Sequence, residues 1–418
     1  MSPERTIGVI LFGSGLVCAG SGLLQTMLPM RSGLEGFSTS AIGLLGTAYF
    51  GGIVAGCILG PRLIAHIGHI RAHTGTVCIL TALTLALPIY PEAWFWVALR
   101  FLSGVALAVV FMTIESWLND LASNENRGRV LSLYVIVSNA GWILGQFGVN
   151  LAGLQDVLLI LVPTLAVCLS AAVVSLTPTQ EPTAVPAARL DLGGLFRLST
   201  VATLGCFLIG AAEGAFWSLA PLFGQQSGLS TFETTLLMGA FVLGGTLSQW
   251  PLGRLSDRND RRLVMLPAVM LAVLTGLALA LMPDGGTLLA LILALLHGAL
   301  MLPIYPLCLA HVNDQTPAEQ MVQVSGGLLL IYSSGAAAGP LVAAAWMEES
   351  GAPALFYLIS ILLALFSLVI LYRLAAARLV RRYDGQFSLA PRTTQAAYEI
   401  EAEDSDEPPS GAAITASR

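Results

Sequence analysis

Twelve stretches of this 418-residue chain are apolar for about 20 residues or more: 7–28, 41–60, 73–90, 93–120, 130–152, 157–177, 200–222, 234–253, 262–282, 287–312, 322–346 and 353–373. At 1.5 Å rise per residue such a run, as a helix, crosses the roughly 30 Å hydrocarbon layer of a bilayer. In lipid every backbone N–H and C=O must be satisfied within the structure, which leaves helices or a closed barrel. Barrel strands are half as long and alternate in polarity. The runs therefore predict an all-α polytopic membrane protein with twelve transmembrane helices. A large soluble core is excluded by charge, since only 11% of the residues are charged against about 25% in soluble chains. The first run carries only Arg5 as a basic leader and shows no small-residue cleavage pattern before Pro29, so it reads as a helix and not as a signal peptide.

The 19 basic residues are all arginine. Without lysine there is no phosphate-binding P-loop and no Schiff base, which excludes a self-contained ATP-driven pump and a retinal protein. The six cysteines lie inside apolar runs at spacings that match no zinc or redox motif. No metal, cofactor or nucleic acid is implied, and no nucleophile–base constellation marks an enzyme. Arginine placement orients the chain. Arg5, Arg62, Arg71, Arg127, Arg129, Arg189, Arg197, Arg254, Arg258, Arg261 and Arg262 fall on one side with the tail from Arg373, and the other side collects only Arg31. Both termini are thus expected in the cytoplasm of a bacterial inner-membrane protein, a monomer in the bilayer. "TPTQEPTAVPAARLDLGG" reads as a flexible cytoplasmic linker. The expected units are a six-helix bundle at 1–178, the linker at 179–199, a second six-helix bundle at 200–375 and a disordered acidic tail at 376–418.

The two bundles repeat each other. "TMLPMRSGLEGFSTSAIGLLGTAYFGG" matches "SLAPLFGQQSGLSTFETTLLMGAFVLGG", pairing Pro29 with Pro221, Ser32-Gly33-Leu34 with Ser227-Gly228-Leu229 and Gly51-Gly52 with Gly244-Gly245. Asn119-Asp120 pairs with Asn313-Asp314, and Gly141 and Gly145 with Gly335 and Gly339, at offsets between 192 and 195. Parallel six-helix repeats are the layout of a transporter that rocks about a midplane site.

On these residues the chain resembles the major facilitator superfamily, across residues 5 to 375. "GRLSDRNDRR" (Gly253, Arg254, Asp257, Arg258, Arg261, Arg262) is similar to that family's signature loop, with Asp260 where a second glycine is usual, and implies an inside gate latched by Asp257 among arginines. Its first-half counterpart, "GPRLIAHIGHIRAH", is degenerate, with Ala65 at the acid's place. "RFLSGVALA" resembles the family's arginine–glycine element, giving Arg100 and Gly104. "GWILGQ" resembles the glycine–proline element of exporters, but Gln146 replaces the proline, which appears instead at Pro340. "ESW", "NRGRVLSLY" and "QWPLGRLSDR" look most like the YcaD-like bacterial group.

An intramembrane acid is a functional candidate by default. Glu213, amid small and apolar neighbours, is the leading proton site. Glu115 lies nearer the arginine-rich side, with Asn119 one turn on as a bonding partner or the arginines of the following loop, Arg127 and Arg129, as an architectural alternative. Arg100 is expected to face an acid on another helix, Glu213 at similar depth, or an anionic substrate; snorkelling to the interface is the alternative. His297 at mid-depth is a coupling candidate or a neutral core histidine. Gln25, Asn139, Gln146, Trp217 and Gln249 suggest a polar lumen as a set, each being singly as well suited to interhelical bonding. The expected function is secondary active transport of a small solute by alternating access, coupled to protons, with an uncoupled facilitator or a non-transporting membrane sensor as alternatives.

Overall fold

A computed structural model of the chain describes residues 3–123, 126–176, 192–282 and 286–376. The described residues are α-helical throughout, joined by short turns: α1 (Pro3–Leu34), α2 (Thr39–Ile67), α3 (His69–Ala86), α4 (Ala93–Leu121), α5 (Arg127–Gly148), α6 (Leu158–Ser175), α7 (Leu192–Leu198), α8 (Thr200–Gln226), α9 (Thr231–Arg258), α10 (Arg261–Ala280), α11 (Thr287–Met301), α12 (Ile304–Asn313), α13 (Ala318–Ser350) and α14 (Ala354–Ala376). Eleven spans among them are long and apolar enough to cross a membrane, with α11 and α12 counted as the single stretch Thr287–Asn313. The tenth expected span is broken there because Pro303 and Pro306 each withhold a backbone donor. The remaining long helix, α9, has 28 residues, about 42 Å at 1.5 Å each. Its polar residues Thr234, Thr235, Thr246, Ser248 and Gln249 keep it below the hydropathy of the others.

Two expectations need correction. The end of the segment taken as a flexible linker is ordered: Leu195 of α7 is buried against Gly327 of α13, so one apolar side chain anchors the seven-residue helix. The rest of that linker, and nearly all of the acidic tail, lie outside the described residues. The repeat register at the first turn is also different. Gly228 (φ 78°) is matched in backbone by Gly36 (φ 81°), not by Gly33, which is helical. Two residues on, Ser38 and Ser230 each cap the next helix by accepting a backbone N–H. A left-handed turn followed by a serine cap thus fixes the local offset at 192, the same as Pro29 to Pro221.

The helices are held by close approach where glycine leaves no side chain, the usual means of helix association in lipid. A Cβ on Gly104 would fall on the Tyr49 carbonyl of α2, and one on Gly298 on the Phe241 carbonyl of α9. A Cβ on Gly145 would meet the Ala19 carbonyl of α1, and one on Gly141 the Gly15 carbonyl at 2.6 Å. In the second half Gly335 and Gly339 press on the carbonyls of Phe207 and Ala211 of α8. The four pairs α2–α4, α9–α11, α1–α5 and α8–α13 are therefore two repeat-related sets. Pro340 does something else. A Cβ on Gly43 would meet its carbonyl at 2.6 Å, and one on Gly46 would meet its side chain, both on α2, so it joins the two halves.

One large core cluster is drawn almost wholly from residues 195–370, with Ile42 as its contribution from the other half, and two further clusters come from 7–174. Contacts between the halves gather toward the arginine-poor end: Ser40 N–H donates to Glu348 (2.9 Å), Asn150 Nδ2 to Thr235 Oγ1 (3.0 Å), and the Phe147 ring lies 6.3 Å from Phe232. Deeper in, Cys57 and Ala108 pack with Leu330.

Replacing Gly339 or Gly145 by valine is expected to abolish the folded, monodisperse protein, because the obstacle is backbone that cannot move aside. Gly75→Ala, where a Cβ meets nothing within 4 Å, should leave stability unchanged or raise it by about 0.5–1 kcal/mol. Size-exclusion profiles and melting temperatures of the three variants check this.

Candidate functional site

Two carboxylates are buried inside the bundle, each met by a tyrosine hydroxyl. Glu213 of α8 is 0% exposed and its Oε2 accepts from Tyr332 Oη of α13 at 2.7 Å. The Tyr332 ring packs on Tyr305 of α12 at 4.7 Å, which sets the hydroxyl in place. Tyr332 is two residues from Leu330, where α13 touches the other half. Glu115 of α4 is 1% exposed and its Oε1 accepts from Tyr134 Oη of α5 at 2.9 Å. Asn119, the expected partner, instead leaves its Oδ1 buried without a hydrogen bond among the described residues. Nothing in the apolar patterning marks either tyrosine, because an aromatic in a lipid-spanning run looks like any other core residue.

Arg100 pairs with no acid among the described residues and does not snorkel out: it is 8% exposed, donates from Nη2 to Gln25 Oε1 at 2.7 Å, and its guanidinium sits 4.0 Å from the centre of the Tyr49 ring. The other end of the Gln25 amide donates to the Trp217 carbonyl at 3.1 Å, across the seam between the halves. The Trp217 indole lies 6.4 Å from that of Trp142. Asn139 of α5 donates to Thr246 of α9 at 3.3 Å, again across the seam. Gln25, Trp217 and Asn139 are thus brought together by the interface. Gln146 is buried with Oε1 lacking a partner among the described residues, and Gln249 is half-buried one turn beyond Thr246 on α9.

His297 lies apart from these groups, in the core of the second half. Its Nδ1 is 3.0 Å from Thr275 Oγ1, and its ring stands between Phe241 (6.1 Å) and Phe356 (5.9 Å). A second buried histidine was not singled out by sequence: His73 of α3, with Nδ1 2.9 Å from Thr113 Oγ1 and its ring 5.4 Å from Trp117. Among the described residues no group of three His, Cys, Asp or Glu side chains is arranged to hold a metal.

At the arginine-rich end the signature loop is organised around Arg261. It makes a two-point bond with Asp314 at the end of α12 (Nε–Oδ2 2.6 Å, Nη2–Oδ1 3.1 Å) and donates from Nη1 to Ser256 (2.9 Å) and Asp257 (3.1 Å). Asp314, known from sequence only as a repeat partner of Asp120, is its principal acceptor. Asp260, where a glycine is usual, caps α10 by accepting the Arg262 N–H at 3.0 Å and the Arg262 guanidinium at 2.7 Å. Burial pushes the Asp260 carboxyl up, but the side-chain and backbone bonds from Arg262 outweigh it and hold it below the usual range. Arg254 lies 5.3 Å from the Trp250 ring, and Gly253 is buried where α9 nears its end, one turn before Asp257 and Arg258. These bonds tie α9, α10 and α12 to one another, all within the second half. In the first half the position 192 residues before Arg261 is His69, its ring 6.4 Å from Trp117.

A family model described as Major Facilitator Superfamily matches residues 10–326 and 202–396. An uncharacterized MFS-type transporter of Enterobacter sp. (strain 638) is 29% identical over 378 residues, covering 88% of this chain and 96% of that protein. The uncharacterized MFS-type transporter YcaD of Escherichia fergusonii is 28% identical over 374 residues, covering 88% and 95%. Among solved structures, a mutant form of the nucleoside transporter NupG superposes with a TM-score of 0.73 at 14% identity, covering 88% of this chain and 99% of that one.

Asp314→Asn should lower stability by roughly 3 kcal/mol, since it strips a buried arginine of its two-point acceptor and leaves only the more exposed Asp257. Asp257→Asn should cost about 1 kcal/mol or less, because Asp257 is 26% exposed and Arg261 keeps Asp314. Thermal unfolding of both purified variants distinguishes them; equal losses would contradict this ranking.

Proposed function

The chain belongs to the major facilitator superfamily, and on that footing we propose that it is a secondary active transporter driven by protons. A membrane transporter of this family handles a small solute by presenting a site between its halves to either side in turn. The halves here are 1–178 and 200–375, with both termini in the cytoplasm as the arginine distribution requires. The contacts at the arginine-poor end then seal the outer face, which corresponds to an inward-facing state.

The observation that carries the coupling is the Glu213–Tyr332 pair. A fully buried carboxyl changes charge at a large energetic cost unless something else changes with it. Its tyrosine partner rides on α13, the helix that packs against α2 of the other half. Parting of the halves withdraws Cys57 and Ala108 from Leu330, two residues from Tyr332, and opens the pair to water, so proton occupancy and conformation constrain one another. Glu115, bonded to Tyr134, serves as a second proton station toward the arginine-rich side. The polar and aromatic groups of the seam, Gln25, Trp217, Asn139 and Thr246, provide a wall for a neutral, amphipathic or singly charged solute.

A thermal-shift screen of the purified protein against metabolites and drugs supplies a ligand, because one that binds the folded state stabilises it. In proteoliposomes with an imposed pH gradient, that ligand should accumulate with wild type and only equilibrate with Glu213→Gln, while the variant elutes and melts as a folded protein. Full gradient-driven accumulation by Glu213→Gln would refute the assignment. Uptake without accompanying proton flux in the wild type would make the protein a facilitator.

Glu115→Gln should keep its fold, since the glutamine oxygen still accepts from Tyr134, with a loss of about 1 kcal/mol. Turnover should become flat against internal pH. A large drop in melting temperature with an unaltered pH profile would make Glu115 architectural.

A further inference from the structure

We infer that Arg100 forms, with Gln25, Tyr49 and Ser21, a binding site for a small monovalent anion the size of chloride or of a single carboxylate group. The inference rests on alternating access as proposed above, but its chemistry stands on the first half alone. Arg100 is buried on a membrane-spanning helix, and its partners, the Gln25 amide oxygen at 2.7 Å and the Tyr49 ring at 4.0 Å, are both neutral. Dipoles and a ring face offset part of the cost of burying a cation; they do not neutralise its unit charge. The buried acids are engaged elsewhere: Glu213 by Tyr332, and Glu115 by Tyr134, the latter some 22 Å along the same helix.

The guanidinium also lines a cavity. A space of about 20 Å³ is enclosed by α1, α2, α3, α4 and α6, with Ser21, Tyr49, Thr84, Arg100 and Ser103 as its polar walls. That is room for one water or one small ion. The hydroxyls of Ser103 and Thr84 already donate to the carbonyls of Leu99 and Leu80. Those of Ser21 and Tyr49 have no hydrogen-bond partner among the described residues and can donate to an anion. Six leucines and Val167 form the apolar remainder, which excludes a highly charged or bulky headgroup. The site is linked to the seam through Gln25, whose amide N–H holds the Trp217 carbonyl of the other half at 3.1 Å. When the halves part, that N–H is released. The amide then turns its donor toward the cavity, and Arg100, no longer satisfied by the Gln25 oxygen, takes the anion.

The test is thermal unfolding of the protein in nanodiscs of neutral lipid, in sodium chloride, sodium acetate and sodium gluconate at equal ionic strength. Chloride or acetate should raise the wild-type Tm over gluconate saturably, by roughly 2–4 °C, and Arg100→Gln should lose that rise. Gln25→Glu places a carboxylate permanently against the guanidinium, so it should raise the Tm in gluconate and abolish the anion dependence. A response to chloride alone identifies a free ion as the ligand, and a response to acetate alone identifies the carboxylate of an organic substrate. Identical wild-type melting in the three salts overturns the site, as does a wild-type response in either variant. Should Arg100→Gln not fold, Gln25→Glu decides alone. The measurement needs no gradient, so failure of proton coupling would leave its outcome untouched.

Discussion

The structure depends on backbone meeting backbone at glycine. In a bilayer the tails outside a helix are as apolar as the leucines between helices, so association relies on close packing instead of exclusion from water. Gly104 on Tyr49, Gly298 on Phe241, Gly145 on Ala19 and Gly339 on Ala211 supply that packing in repeat-related pairs. Each contact leaves no room for a methyl group, and so each half is stiff. The seam between the halves uses the same device at two points, Gly43 under Pro340 and Ala344 and Gly46 under Ser218, and adds single amide bonds and aromatic edges.

Charge is distributed to suit the same division. The loop arginines Arg261 and Arg262 are consumed by Asp314, Asp257 and Asp260 within the second half, where they bind three helix ends into one block. The charge-bearing groups Glu213, Glu115 and Arg100 sit inside the bundle, and each has a neutral hydrogen-bonding partner: Tyr332, Tyr134 and Gln25. The asymmetry between Arg261 and its first-half counterpart His69 has the same flavour: the repeat preserves the architecture of the loop while its chemistry has diverged.

Much of this was legible in the sequence, because the bilayer imposes strict rules. Length and absence of charge located the spans, satisfaction of the backbone made them helices, and the recurrence of Pro29 at Pro221 and Gly141 at Gly335 exposed the repeat. The small residues at Gly104, Gly145 and Gly339 could be read as packing positions for the same reason. Membership of the family followed from the loop and helix motifs together. The sequence also determined that Glu213, Glu115 and Arg100 are anomalies in apolar surroundings.

Only the tertiary structure decided which partners those anomalies have. Tyr332 is 119 residues from Glu213, Gln25 is 75 residues from Arg100, and Asp314 is 53 residues from Arg261. No periodicity along one helix carries such pairings, since they depend on how neighbouring helices are rotated and how deeply they are set. The acid expected opposite Arg100 turned out to be an amide and an aromatic face for that reason. Local geometry corrected the rest: Pro303 interrupts a run that hydropathy alone cannot divide, Leu195 anchors a helix at the end of an apparent linker, and the positive φ of Gly36 sets a repeat register that letter-matching at Gly33 misplaces. A sequence under bilayer constraint specifies what each residue must avoid; the fold specifies what it finds.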